Sequence, residues 1–408
     1  MVVVALAVRF MGLGFLYPEQ LSPDRDHFAF GYETGRIARA IASGEGFSSP
    51  LLVPTGPTAW MAPAYPYVVA GVFKVFGIYS KASVLVILTL QDLFSALTCL
   101  TVFFIGQRTF GPVVAGRAGW IWAFFPYAVF VPNHWVWDAS LTTLLFSLLF
   151  LMALRLEHSR RLREWLGFGL LWGLGALTNP VLLSVLPFLL SWLWWRQRQH
   201  GVGCGRSISA TALIFLLSVL PWFVRNYQTF GQVIFFRSTF GAVLRMGNSE
   251  DTGKPRSDAL LPSENEDEMA RFRRMGELAY MVEKRHDAFQ FIASHPGTFA
   301  WLTLRRIVYF WMGIWNLTPA YLVSTNWPLL GALNIVFSTS LSVLAFLGLR
   351  RGIRDRRAEV WPYLIVLFFF PLVYYVTSPH IRFRHPIDPL IVLLAAYAAC
   401  KDSSPHVG

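Results

Sequence analysis

Residues 299–316, FAWLTLRRIVYFWMGIWN, decide the fold. The stretch approaches the ~20 mostly apolar residues of a membrane span. Yet Arg305 and Arg306 sit in mid-run, beside Trp301, Trp311 and Trp315. If it crosses a bilayer, every loop after it changes side. The rest of the chain shows that a bilayer is the right frame. Of 408 residues, 55% are hydrophobic and only 14% charged, with a mean hydropathy of +0.47. A soluble domain carries roughly 25% charged residues, so this is an integral membrane protein. Its 16 Trp and 35 Phe suit interfacial belts and packed bundles. The net charge of +12 collects in short loops between apolar runs, which encodes topology rather than nucleic-acid binding. Three cysteines (Cys99, Cys204, Cys400) form no CxxC pair and offer neither a metal-ligand pair nor a disulfide framework.

Twelve apolar segments stand out: 1–17, 63–79, 82–106, 115–132, 139–155, 165–178, 181–195, 207–224, 299–316, 329–349, 360–377 and 386–400. The first resembles a signal peptide in length, but no small-residue cleavage site follows it; its shortness points to a start further upstream. Basic residues mark the cytoplasmic loops: Arg155, Arg160, Arg161 and Arg163; Arg196, Arg198 and Arg206; Arg350, Arg351, Arg354, Arg356 and Arg357; and, more weakly, Arg108 and Arg117. If all twelve segments crossed, the Arg155 and Arg108 loops would fall on the wrong side. Parity returns if 299–316 and 63–79, the latter carrying Pro63, Pro66 and Lys74, lie flat in the interface as amphipathic helices. The expected fold is thus an all-α polytopic membrane domain over 1–408 with about ten spanning helices (range nine to twelve). It has cytoplasmic termini and two large outer loops, 18–81 and 225–328. Residues 133–138, 178–180 and 378–386 make short outer connections. Ser263 with Glu266 reads as a capping box starting a helix near 264. No internal repeat or low-complexity tract is visible.

On this topology the unusual polar residues gather on the outer face. Asp24, Asp26, Glu33, Arg36 and Arg39 lie in the first loop. Asp138 starts a helix, Asn179 sits in a hairpin, and Arg225 and Asn226 end a helix. His380, Arg382, Arg384 and His385 form the last connection. Ionisable residues at membrane depth mark function by default. Each also has a plainer reading. Asp138 can complement a helix dipole, Arg225 can snorkel, Glu33 and Arg36 can pair at i,i+3, and Asp24 and Asp26 can simply solvate a loop. Arg382 and Arg384 run against the positive-inside rule. Carboxylates with arginines at a lipid–water interface fit transfer of a sugar from a lipid phosphate to a hydroxyl. One general base takes the acceptor proton. The departing phosphate needs cations, to which Arg is suited. A single carboxylate then suffices, unlike the acid/base pair of a glycosidase.

Several motifs occur in a telling order: IARAIASGEGF after an acid-bearing loop, PTAWMAPAYPY with a short helix ending at Phe76–Gly77, WVWDASL, GLGALTNP, VRNY and RFRHPIDP. In this order the chain resembles the lipid-phosphate-sugar-dependent GT-C membrane glycosyltransferases. That group holds the protein O-mannosyltransferases, the lipid A aminoarabinose transferases and the RgtA/B/C/D-like bacterial proteins (glycosyltransferase family 39 type). The resemblance implies a GT-C fold and a catalytic carboxylate in the first outer loop. It implies Glu33 as base, Asp26 second, and Asp138 as a further acid. The chain lacks the family's Asp-Glu pair: Phe30 or Gly31 falls there. It also lacks the lysine that aminoarabinose transferases carry after the first loop helix. The resemblance therefore leaves the donor phosphate to Arg225, Arg382 or Arg384, and places His380, Asn179, Asn226 and Tyr65 against substrate. The expected partners are a polyprenyl-phosphate sugar donor, the lipid bilayer and a glycan, lipid or protein acceptor. No cofactor is expected; the clustered acids leave a divalent metal open, but no ligand spacing argues for one. The expected location is the plasma (inner) membrane, with the site on the periplasmic or extracytoplasmic face. A lipid-linked-sugar flippase would show inverted repeats and midplane breaks, which are not visible here. An O-antigen polymerase or ligase would use a diphosphate donor, and a non-catalytic assembly partner would need no site.

Overall fold

The computed structural model describes residues 1–16, 30–201, 203, 205–251, 257–314, 328–378 and 380–400. Asp24 and Asp26 lie outside them, as does Cys204. Each of the twelve apolar segments is mainly helical over its described residues. The chain runs through α1 (Val2–Leu16), α2 (Glu33–Ala42), α3 (Ala64–Phe76), α4 (Lys81–Thr109), α5 (Pro112–Phe124), α6 (Pro126–His134) and α7 (Ala139–Leu156). It continues through α8 (Leu162–Thr178), α9 (Leu186–Gln199), α10 (Gly205–Phe230), α11 (Phe240–Gly247), α12 (Glu266–Met275) and α13 (Glu277–Ser294). The last elements are α14 (Pro296–Met312), α15 (Pro328–Arg354), α16 (Val360–Phe369), α17 (Leu372–Val376) and α18 (Asp388–Ala399). Among the described residues, β-pairing is limited to one antiparallel bridge, Ser48 to Pro57.

Proline sets several boundaries. Segment 115–132, expected as one helix, breaks at Phe125, and α5 and α6 meet at a 42° bend. Phe125 precedes Pro126, and proline pushes its predecessor out of the helical region; Phe125 has ψ 114°. Segment 360–377 also breaks beside Pro371, although Phe370 keeps helical angles (φ -62°, ψ -43°). Segment 181–195 opens as a 3-10 turn over Pro180–Ser184. The helix expected near 264 begins at Glu266 instead. Its cap is Asn265, whose Oδ1 accepts from the Asp267 and Glu268 amides at 2.9 and 3.3 Å; Ser263 is not the cap. Of the ten expected spans, α4, α7, α10 and α15 are single helices long and apolar enough to cross a membrane, and the α5–α6 pair makes a fifth. The other five (α1, α8, α9, α16 with α17, and α18) are shorter.

The two ends of the bundle differ in charge. At one end, Arg108 Nε donates to Leu154 O at 3.1 Å and Arg357 Nη1 to Thr109 O at 3.1 Å. Gln197 Nε2 donates to Leu156 O at 2.6 Å. The last turns of α4, α7 and α9 and the arginine-rich 350–357 turn therefore meet. Asp138, Asn179 and Arg225 lie at the far ends of the helices that carry them. Helix α3 keeps its start at that second end too, because Tyr65 donates to Gln91 of α4 while Gly77–Ser80 lead directly into α4.

Trp122, Trp165, Trp172, Phe146, Leu149 and Phe150 fill the core between α4, α5, α7 and α8. Burying a side chain of this kind contributes about 1.5–3 kcal/mol against water; inside lipid, the close packing itself matters more. Helix α10 joins through a small-residue notch. A Cβ on Gly169 would strike Thr211 O, and one on Gly173 would strike Ser218 Oγ. Leu213, Leu216, Leu217 and Leu220 face outward, as lipid contact requires. Below the second end runs a buried polar ladder. Arg9 Nε donates to Ser95 Oγ at 2.8 Å, and Asn133 Nδ2 to Asp92 Oδ1 at 3.0 Å.

Candidate active site

Gln91 holds the short segment before Asp138. Its Nε2 donates to Pro132 O and Trp135 O, at 2.7 and 3.0 Å. Its Oε1 accepts from the Trp137 amide at 3.1 Å and from Tyr65 Oη at 2.6 Å. All four hydrogen-bonding valences of this buried amide are used, and they fix residues 132–137 against α3 and α4. Asp138 stands at the N-cap position of α7, half-buried, but its carboxylate does not cap the backbone. Oδ2 instead accepts from Thr142 Oγ1 at 3.0 Å and Asn179 Nδ2 at 3.2 Å. Asp138 and Asn179, predicted from different loops, are thus in contact. Both of these partners are neutral.

The last connection joins them. The Arg382 guanidinium lies 3.6 Å over the Trp137 ring, Trp135 stacks on Trp137 at 4.6 Å, and His380 meets Trp137 edge-on at 5.4 Å. A cation over indole is held by the ring quadrupole, so Arg382 is presented beside the segment that bears Asp138. The first loop docks here too. Gly31 has φ 74°, and a Cβ there would strike Val136 O and the Trp137 ring. Only glycine allows that approach. Tyr32 follows with φ 47°, a strained value for a side chain of its size. Glu33 then opens α2, where its charge complements the helix dipole. Its carboxylate carries no hydrogen bond or ion pair among the described residues.

The other predicted residues play different parts. Arg384 is buried. Its Nε meets Asp388 Oδ1 at 2.8 Å and its Nη1 donates to Trp311 O at 2.8 Å. Arg225 Nη1 and Nη2 donate to Thr58 O and Phe47 O, both at 2.7 Å, which pins the segment between α2 and α3 to the end of α10. Asn226 accepts from Arg225 and donates to Ile234 O at 3.0 Å. The three therefore build the walls. Tyr65 reaches the site through Gln91.

Sequence reasoning passed over three groups. Gln91 is one; an uncharged amide inside an apolar run gave little signal. The second is Glu277, whose carboxylate clasps the segment before α3 to the segment before α11. It accepts from Thr58 Oγ1, from the Ala59 amide at 2.9 Å and from Ser238 Oγ at 2.6 Å. Burial pushes its carboxyl above the usual range, opposed by those hydrogen bonds and by Arg225. The third is Arg237, carried on a strap fixed by Trp222 Nε1 to Phe236 O and by the Ser238 amide to Ala59 O, each 2.8 Å. It is exposed and makes no ion pair or hydrogen bond among the described residues. The Tyr374 phenol feels the charges of Arg237, Asp138 and Arg382 together.

With this geometry in hand, the comparisons fall into place. The family model described as dolichyl-phosphate-mannose-protein mannosyltransferase matches residues 60–224. No curated protein matches by sequence. Among solved structures, the chain is similar to the archaeal oligosaccharyltransferase AglB from Archaeoglobus fulgidus in complex with an inhibitory peptide and a dolichol-phosphate. The identity is 15% and the TM-score 0.53, over 97% of this chain and 50% of that one. The same enzyme in complex with Zn and sulfate gives 16% and 0.56, over 97% and 48%. ArnT from Cupriavidus metallidurans bound to undecaprenyl phosphate gives 13% and 0.42, over 97% and 76%. The chain spans about half the length of the oligosaccharyltransferase it matches. At these identities the likeness shows the fold: the chain shares the all-α membrane architecture of the archaeal oligosaccharyltransferase.

Proposed function

We propose that the chain is a membrane glycosyltransferase that moves a sugar from a polyprenyl-phosphate carrier to an acceptor hydroxyl. The donor class is the one suggested by the dolichol-phosphate named for the archaeal neighbour. One observation carries the reading: Gly31, Trp137–Asp138, Asn179 and Arg382, from four separate stretches of chain, meet at one end of the bundle, and Glu33 follows Gly31 by two residues. Glu33 takes the acceptor proton as the hydroxyl oxygen attacks the anomeric carbon. The bond from that carbon to the phosphate oxygen breaks, and its electron pair leaves with the polyprenyl phosphate. Arg382 and Arg237 stabilise that departing charge. Asp138, held by Thr142 and Asn179, orients the acceptor. Asp26 is the second candidate base. The arginine-rich loops gather at the opposite end, which supports a site on the outer face of the plasma membrane.

The test is transfer from a panel of radiolabelled polyprenyl-phosphate sugars to membrane extracts. Wild type is compared with Glu33→Gln, Asp26→Asn and Asp138→Asn. Label that moves with wild type and not with Glu33→Gln supports the assignment. Equal transfer by all four proteins sinks it.

A further inference from the structure

At the basic end of the bundle, far from the site above, Glu157, His158 and His200 each offer one ligand atom, all within 4.8 Å of one another. Glu157 and His158 directly follow the last residue of α7, and His200 directly follows α9. Two helix C-termini therefore converge here. Each brings partial negative charge from its unpaired carbonyls, which favours a cation.

The joint that carries these residues is stiff. Gln197 is buried, and its Nε2 donates to Leu156 O at 2.6 Å and Ser159 O at 3.1 Å. It ties the chain after α7 to the last turn of α9. The Glu157 side chain is 4% exposed, whereas that of His158 is 56% exposed. Arg196 Nε bonds Glu157 Oε1 at 2.6 Å. A carboxylate has about four lone-pair sites, so this contact orients the group without exhausting it. Metal-ligating carboxylates are commonly held by such an outer partner.

We propose that Glu157, His158 and His200 bind one divalent transition-metal ion of the zinc class, stapling the end of α7 to the end of α9. Two imidazoles and one carboxylate form a three-ligand set that leaves a fourth position for water. Tetrahedral zinc places such donors about 3.3 Å apart, so the two histidine side chains close inward by a modest rotation. The nearby arginines oppose a second cation, which sets the expected affinity in the micromolar range rather than the picomolar range of thiolate sites.

The experiment uses the full chain in detergent, purified through a tag without histidine. Cobalt chloride is titrated and followed by visible absorption, and zinc competes for the bound cobalt. The expected result is one equivalent in wild type, with at least tenfold weaker binding in His158→Ala/His200→Ala. Zinc should also raise the melting temperature of wild type and leave that of the double variant unmoved. His200→Asn, a change at an exposed side chain, gives the same comparison if the double variant folds poorly. Equal stoichiometry and affinity in wild type and variants overturns the proposal, as does a wild type that binds no cobalt.

Discussion

Helix α7 begins just after one carboxylate and ends just before another. Its 18 residues put Asp138 and Glu157 about 28 Å apart at 1.5 Å per residue, close to the thickness of a bilayer core. The two acids are treated in opposite ways. Asp138 receives neutral donors from Thr142 and Asn179 and stands half-open beside Trp137 and Arg382. Glu157 is buried and ion-paired to Arg196. A buried carboxylate without its cation is strongly unfavourable, so the pair at Glu157 is needed for the fold. At Asp138 the cation is held on an indole instead, and the carboxylate keeps only neutral partners. The same residue class thus stands half-open at one end and is locked into the architecture at the other.

Variants at the two ends should separate these roles. The largest effect is expected for Glu33→Gln: a loss of about 10²–10⁴-fold in transfer rate, the usual contribution of a general base. Its melting temperature should stay near that of wild type. Glu157→Gln should do the reverse. It should lose on the order of 3–5 kcal/mol of stability, read by thermal melting in detergent, while transfer per folded molecule persists. A Glu157 variant that melts like wild type but fails in transfer would break the comparison.

Gln91→Leu should fall between the two. It strands the carbonyls of Pro132 and Trp135, the Trp137 amide and the Tyr65 hydroxyl, and should cost on the order of 3 kcal/mol. A lower kcat at nearly constant donor KM would mark it as a positioning residue. Arg382→Ala should raise donor KM about tenfold to hundredfold, the range of a lost charged hydrogen bond, with Arg382→Lys recovering part of it.

The smallest effect concerns pH. Burial raises the Glu277 carboxyl in the folded state, so the folded chain keeps a proton that the unfolded chain releases. That contribution is complete below the unfolded value near 4.3 and is lost as pH rises through the higher folded value. The melting temperature of wild type should therefore decline across that window. The decline should be shallower in Glu277→Gln.

Much of the architecture was legible because lipid imposes a strong code. Twelve apolar runs became twelve helical regions, and the arginine clusters marked one end. The breaks at Phe125 and Phe370 were visible in principle, since each precedes a proline inside an apolar run. The site was legible in part. Asp138, Asn179, His380 and Arg382 converge as expected. Arg384 was read as a phosphate ligand, although Asp388 four residues on already had the spacing of a helical ion pair. Gln91 and Glu277 stayed hidden for a physical reason: their roles rest on tertiary contacts, with partners such as Pro132 and Thr58 more than 40 residues away.

The glycine notch between α8 and α10 has a consequence for how this chain can vary. Only 17% of the apolar window of α10 is buried, so most of its surface asks for nothing more specific than solubility in lipid. Leucine, isoleucine, valine or phenylalanine would serve there equally. The constraint falls on the partner instead, at Gly169 and Gly173, where one added methyl pushes the helices apart. Sequence drift should therefore run freely along the outside of α10 and stop at two positions of α8, the fixed points that keep Arg225 within reach of the segment between α2 and α3.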